Sequence, residues 1–486
     1  MTLRSPYVPG DRTVWVILAA TVLGGAALRL YGLDAQSLWN DELSGWAQFS
    51  VDSWWRVLAR VPVDHTPAFW WLLHGWMQVA GDSEIALRLP SALLGSAAVA
   101  AMFALGRTLY GQREGLIAAA VTATAWMPIF YSQEARPYML LLLLVVLVSI
   151  ALIDVVRGLQ RTATLPRVAA LAYVIAAALT CYTHYFGLLF ICLQAALVGM
   201  IILRRQPHAL VRIAALYTLV FASFVPWLRR AEVVVAYAPD WIAPVTPRVI
   251  WDLQRFLFND STPFAVLALG LWATLLVREY RTRRQPRAAR LEPPTLLLLV
   301  WLVVPVAVVY VRSMLAAPAF INRVLIIVAP AAYLLVARAI AQLSVRRWVA
   351  PLATGALCAA LLVDLFVVRR YYREPTKEQF REAAAYLVAH DQAAAPTVVL
   401  ACAHNRKYFD YYLERLGSPR RVDAVAVAVE DDARVQELIA ARAPVDVWLL
   451  AGHLTPPPEI LASLSKRLHL VDEAQFVHAG VWHFRP

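Results

Sequence analysis

At 486 residues, with 60% hydrophobic and only 16% charged side chains and a mean hydropathy of +0.58, the chain lies outside the range of soluble globular proteins. Its net charge of +12 does not describe a nucleic-acid surface, because the arginines fall in short clusters between apolar runs, where topology determinants lie. Cys181, Cys192 and Cys358 sit in or beside apolar runs and Cys402 in a polar tail, which excludes a disulfide framework and a cysteine metal motif.

In chain order, apolar runs long enough to cross a bilayer are predicted at 14–30, 87–105, 116–131, 138–156, 168–182, 186–203, 213–228, 263–277, 295–311, 324–340 and 348–367. The first run is not expected to be a cleavable signal, being long enough to span and without a small-residue cleavage site after it. With the N-terminus in the cytoplasm, the inner loops carry Arg107 and Arg113; Arg157, Arg161 and Arg167; Arg204, Arg205 and Arg212; Arg278, Arg281, Arg283, Arg284, Arg287 and Arg290; and Arg338, Arg346 and Arg347. The positive-inside rule supports that register, and an odd number of spans puts the C-terminal tail outside. The division expected is therefore a transmembrane domain over 1–370, its first outer loop at 31–86, and a periplasmic α/β domain over 371–486. In the tail, helices are predicted at 379–390 and 431–442 and strands at 397–401, 422–429 and 445–450, without a phosphate-binding glycine loop.

Four polar clusters recur on the predicted outer side. The first outer loop holds Asp41 and Glu42, then Asp64-His65-Thr66-Pro67 and His74, among Trp39, Trp46, Trp54, Trp55, Trp70, Trp71 and Trp76. Tryptophans at this density suit helices lying along a headgroup interface, with Pro67 in the first turn of one, but a lipid-anchoring segment has no need of the acids and histidines. The second cluster is Ser132-Gln133-Glu134-Ala135-Arg136-Pro137-Tyr138, the third Tyr182-Thr183-His184-Tyr185-Phe186, and the fourth Asn322-Arg323. Adjacent carboxylates such as Asp41-Glu42 are kept beside a membrane either in water or in a site that uses their charge. Arg136 at the mouth of a helix bundle either snorkels to lipid phosphates or presents its donor fork to a substrate phosphate.

The order of these motifs, with Gly81-Asp82-Ser83-Glu84 running into Leu87-Arg88-Leu89-Pro90-Ser91, resembles bacterial membrane glycosyltransferases of family 39 over about residues 14–345. That family is related to protein O-mannosyltransferases and to the aminoarabinose transferase of lipid A. The resemblance implies a C-type glycosyltransferase fold with about eleven transmembrane helices, interfacial helices in the first outer loop, and a C-terminal soluble α/β domain. It also implies inverting transfer of one sugar from a polyprenyl-phosphate donor to a protein, lipid or glycan acceptor outside the bacterial cytoplasmic membrane. Where many relatives carry His-Pro-Pro, this chain has His65-Thr66-Pro67.

Within that chemistry a carboxylate suits removal of the acceptor proton, and Asp41 is the candidate base. A positioned cation suits a departing phosphate, so Arg136 is the first donor-phosphate candidate, followed by His184 and Arg323. Glu42 and His65 are assigned to the acceptor or, with Asp41, to a divalent metal ion, although no tight ligand spacing demands one. Glu134 is expected to orient Arg136, with Tyr138, Tyr185 and Asp64 in support. No nucleotide and no nucleic acid is expected. The alternatives are a lipid or glycolipid flippase, disfavoured by the lack of internal repeats and midplane charges, and an inactive scaffold relative.

Overall fold

A computed structural model describes residues 12–486 apart from 52, 163, 206–208, 237–240, 283–291, 344–345, 347 and 392–395. The predicted inner-loop residues Arg283, Arg284, Arg287, Arg290 and Arg347, and the stretch before Arg12, lie outside the described residues. The chain forms two compact units: a helical unit of the chain up to Tyr31, Trp54–Trp76 and Arg88–Val368, and a second unit of Gly32–Ser53, Met77–Leu87 and Arg369–Pro486. The first outer loop is thus divided between them.

Among the described residues, nine helices of the helical unit are long and apolar enough to cross a membrane, and a bent pair makes a tenth. The eleventh predicted span is the helix Arg167–Thr183, whose 17 residues are fewer than the others have. Most spans bury one stripe and leave the rest apolar and exposed, as lipid-facing helices do. The run Asn322–Leu343, a 3₁₀ segment followed by Ala329–Leu343, is apolar on every side and almost wholly buried.

The bent pair, Gln112–Thr124 and Trp126–Ser132, breaks by 59°. Pro128 has no N–H to offer the Thr124 carbonyl, so the helical ladder cannot run through this point. The resulting orphan acceptors are met by Arg29, which is fully buried near the end of the helix Arg12–Leu30. Its Nη2 donates to Thr122 O at 2.8 Å, its Nη1 to Ala123 O at 3.2 Å, and its Nε to Ser132 Oγ at 3.1 Å. Gln133 Nε2 returns the contact, donating to the carbonyls of Arg29 and Tyr31 at 3.1 and 2.7 Å. Position 95 is glycine because a Cβ there would stand 2.0 Å from Ser132 Oγ.

The second unit is built on a five-stranded sheet: β1 (Thr397–Cys402), β2 (Ala424–Val425), β3 (Asp446–Gly452), β4 (His469–Phe476) and β5 (Ala479–Arg485), in the order β2-β1-β3-β5-β4. β2, β1 and β3 run parallel and β5 and β4 antiparallel, with Cys402 opposite Ala451. Val398, Leu400, Val447, Leu449 and Phe484 form its core with Val435, Ile439 and Ile460. The strand expected at 422–429 shrinks to two residues, because Asp431 Oδ2 takes the N–H groups of Val427 and Ala428, each at 2.9 Å, away from the sheet. The helix Asn40–Phe49 belongs to this unit.

Candidate functional site

The helical unit gathers Asp64, His65, Arg136, His184 and Arg323, while Asp41 and Glu42 belong to the α/β unit. In the helical unit the segment Tyr131–Tyr138 is buried throughout, so Arg136, only 7% exposed, is no surface snorkel. Its backbone is fixed by Arg136 N–H donating to Glu134 O at 2.8 Å and by Ser91 Oγ donating to Arg136 O at 3.3 Å. The guanidinium stands 5.4 Å from the Trp70 ring and 5.9 Å from that of Tyr138, within cation–π range of both.

Arg136 Nη2 lies 3.2 Å from His65 Nε2, and His65 Nδ1 lies 2.9 Å from Asp64 Oδ1. A guanidinium can only donate, so Nε2 is the acceptor, Nδ1 carries the proton, and His65 is a neutral link between Arg136 and Asp64. Burial alone would raise the Asp64 carboxyl, but the hydrogen bond from His65 and the charge of Arg136 outweigh it and hold it below the usual carboxylate value. The segment carrying this pair is tethered: Tyr185 hydroxyl donates to Val63 O at 3.0 Å and accepts from Trp227 Nε1 at 3.1 Å, while Arg230 Nη1 donates to Val61 O at 2.8 Å. The helix beyond begins at Ala68, and Pro67, expected within its first turn, instead precedes it and accepts from Trp71 N–H at 2.9 Å.

His184 breaks the chain between Arg167–Thr183 and the next helix, and its Nδ1 accepts from Phe186 N–H at 3.1 Å. The proton therefore sits on Nε2. Burial first, then the charges of Arg136 and Arg323, push its pKa down to about 3, with Asp64 opposing, so it stays neutral at ordinary pH. Its ring lies 6.5 Å from that of Tyr138, and Arg323 stands over Trp241 at 5.5 Å. The whole is a cationic cluster on aromatic walls with the Asp64 carboxylate behind His65, a geometry suited to an anionic ligand. The tryptophans divide accordingly: Trp54, Trp55 and Trp71 are exposed as an interfacial belt requires, while Trp70 lines the cluster.

In the α/β unit Asp41 is half-exposed in the first turn of Asn40–Phe49, where acids also favour the helix dipole. Glu42, expected at the acceptor or a metal, has its carboxylate engaged within the α/β unit. Its carboxylate is buried, accepts from Trp39 N–H at 3.4 Å as a cap, and pairs with the buried Lys377 at 3.3 Å. His65, expected with it, has both ring nitrogens engaged in the helical unit. Among the described residues, no three His, Cys, Asp or Glu side chains are arranged to hold a metal ion.

Sequence reasoning missed the neighbours of Asp41. His404 follows β1 and His453 follows β3, so both stand at the carboxyl ends of adjacent parallel strands, where open α/β sheets carry their sites. Their ring centroids are 5.3 Å apart, and Asp41 acts electrostatically on both and on Tyr408. The hydrogen bond from His453 Nδ1 to Glu378 Oε1 at 2.6 Å raises the His453 pKa against burial. Burial and then the His453 charge lower that of His404. A histidine just after each predicted parallel strand was the available signal.

This arrangement has a class: the chain is a polytopic membrane protein with the C-type glycosyltransferase fold. A family model described as dolichyl-phosphate-mannose-protein mannosyltransferase matches residues 64–229, which include Asp64, His65, Arg136 and His184. Among solved structures the chain is similar to ArnT from Cupriavidus metallidurans in the apo state, at 15% identity and a TM-score of 0.64, with 98% of each chain covered. ArnT from the same organism bound to undecaprenyl phosphate matches at 15% identity and a TM-score of 0.58, again over 98% of each chain. The oligosaccharyltransferase of Archaeoglobus fulgidus in complex with zinc and sulfate matches at 11% identity and a TM-score of 0.58, over 90% of this chain and 68% of that one. No curated protein matches in sequence.

Proposed function

We propose that this chain moves a single sugar from a polyprenyl-phosphate donor to an acceptor hydroxyl at the outer face of the bacterial cytoplasmic membrane. The observation that carries this is the Asp64–His65–Arg136 chain, with His184 and Arg323 beside it, a buried cationic cluster at the ends of membrane spans. The likeness to an ArnT structure holding undecaprenyl phosphate supports a lipid phosphate as its ligand. Arg136 meets the growing charge of the departing phosphate, His184 donates through Nε2–H, and Arg323 adds charge. Asp64, through His65, keeps Arg136 in place. Glu134 holds the Arg136 backbone through its carbonyl, and Tyr138 walls the cluster.

Asp41 takes the acceptor proton as the hydroxyl attacks the anomeric carbon. A single attacking oxygen without a covalent enzyme intermediate inverts that carbon. The acceptor is a protein, lipid or glycan. The predicted inner-loop arginines support a cytoplasmic N-terminus and an outer C-terminal unit, which a reporter fused after Pro486 tests: a cytoplasmic signal overturns the orientation. The activity is tested by transfer of labelled sugar from a panel of polyprenyl-phosphate sugars in membranes carrying the wild type or Asp41→Asn. Transfer by the wild type alone is expected, and transfer by neither across the common sugars counts against it.

A further inference from the structure

Asp41 lies between two residues that consecutive residues of its own unit hold. The N–H of Asn40 donates to Glu378 Oε2 at 2.5 Å, and Lys377 Nζ reaches Glu42 Oε2 at 3.3 Å with both side chains buried. The approach to the helix is fixed from the same place. Gln36 Oε1 accepts from the N–H groups of Thr376 and Lys377 at 2.8 and 3.0 Å, Ser37 Oγ donates to Glu378 O at 2.5 Å, and Leu38 N–H donates to Tyr412 Oη at 2.6 Å.

A ten-residue helix is marginal alone, and its first turn, with N–H groups that lack helical partners, is the part that frays. Asp41 stands on that turn. Glu378 fills one of the orphan positions, and its other carboxylate oxygen bonds His453 at 2.6 Å, which ties the turn to the end of β3. His453 itself has left-handed backbone, φ +67°, kept by its N–H donating to His478 O at 3.0 Å. A rigid path therefore runs from the sheet through His453, Glu378 and Asn40 to the residue next to Asp41.

Resting on the assignment of Asp41 as base, we propose that Lys377 and Glu378 are positioning residues, which set the Asp41 carboxylate by gripping the residue on either side of it. Lys377 and Glu378 then take part in the chemistry without touching a reacting atom. Lys377 acts by neutralising Glu42: without it a buried carboxylate is stranded and the turn must shift to reach water, whereas removing both charges lets the turn stay.

The test uses the full chain with a polyprenyl-phosphate sugar donor and compares Lys377→Met, Glu378→Gln, Lys377→Met with Glu42→Met, and Asp41→Asn. Each single variant at 377 and 378 is expected to lower kcat by about 10- to 100-fold with donor KM within about twofold of wild type, as for a misplaced catalytic group. The double variant should regain about tenfold over Lys377→Met, and the α/β unit should resist protease equally in all. If both single variants keep kcat within about twofold of wild type while Asp41→Asn is dead, the positioning role falls and the base assignment stands. An active Asp41→Asn removes the base and the positioning role together. A loss of kcat that follows loss of protease resistance, without recovery in the double variant, reduces both residues to structural ones.

Discussion

Beside the candidate donor site, Arg29 donates to carbonyls and a hydroxyl, and Arg136 contacts a neutral imidazole and two aromatic faces. In the α/β unit, buried carboxylates take formal charges or backbone N–H groups, Glu42 with Lys377 and Glu378 with His453 and Asn40. Elsewhere in the helical unit Arg338 has Glu114 and Glu292 for partners at 2.6 and 2.9 Å. The lesson is chemical. Dipoles and rings hold a guanidinium in place while leaving the surroundings positive for an incoming phosphate, whereas ion pairs on either side of Asp41 settle the charges around a base.

The largest expected effect separates base from scaffold. Asp41→Asn should lower transfer by about 10²- to 10⁴-fold, the range for a general base, with thermal stability nearly unchanged, and full activity in a transfer assay would break the contrast between the units. Next, Arg136→Ala should weaken transition-state stabilisation by about 2–4 kcal/mol, read as kcat/KM for the lipid donor. If donor kinetics stay unaltered, Arg136 is a structural cation like Arg29.

A smaller effect sharpens the comparison. Asp64→Asn leaves the shape but removes the charge that fixes the His65 tautomer, so donor use should fall by about tenfold, as for loss of one group orienting another. Because the Asp64 pKa is lowered, its contribution is complete above the ordinary carboxylate range and lost only as pH falls below it; wild type and Asp64→Asn should converge in acid. His184, with its pKa near 3, should add no limb to the profile between pH 5 and 8, and an NMR titration of that ring in this range would contradict its burial.

The smallest effect belongs to the α/β unit. His453 has a raised pKa, so its pairing with Glu378 contributes fully below the unfolded value near 6.5 and is lost as pH rises through the folded one. The advantage of wild type over His453→Gln in thermal unfolding should shrink from pH 6 to pH 9. A constant difference would mean that the hydrogen bond alone, and not the charge, matters.

Apolar length is a local property, so the spans were legible, including the one broken at Pro128, which still read as a single run. The cationic cluster was legible because its parts lie in short polar turns between those runs. What His65 does was not, since its partner Arg136 is 71 residues away. The pairing of Glu42 was hidden for the same reason: Lys377, 335 residues on, sits in a stretch without motif or period. The hairpin of β4 and β5 escaped notice because β4 is an exposed edge strand with little alternation, and the turn at Val477-His478 places left-handed backbone, φ +49°, on a histidine rather than on a glycine.

Arg29 also bears on how the molecule is made. Apart from Gly25 O in its own helix, to which Nη1 donates at 2.8 Å, its carbonyl and hydroxyl partners lie 93 to 103 residues further along, so the first helix is synthesised before most of the groups that satisfy its guanidinium. Near the end of its helix the side chain can stay among headgroups and water at modest cost, which lets the helix insert without committing to a depth or rotation. In the finished bundle the arginine ties the first helix to the segment that leads into Arg136, through Ser132 Oγ and the Gln133 amide.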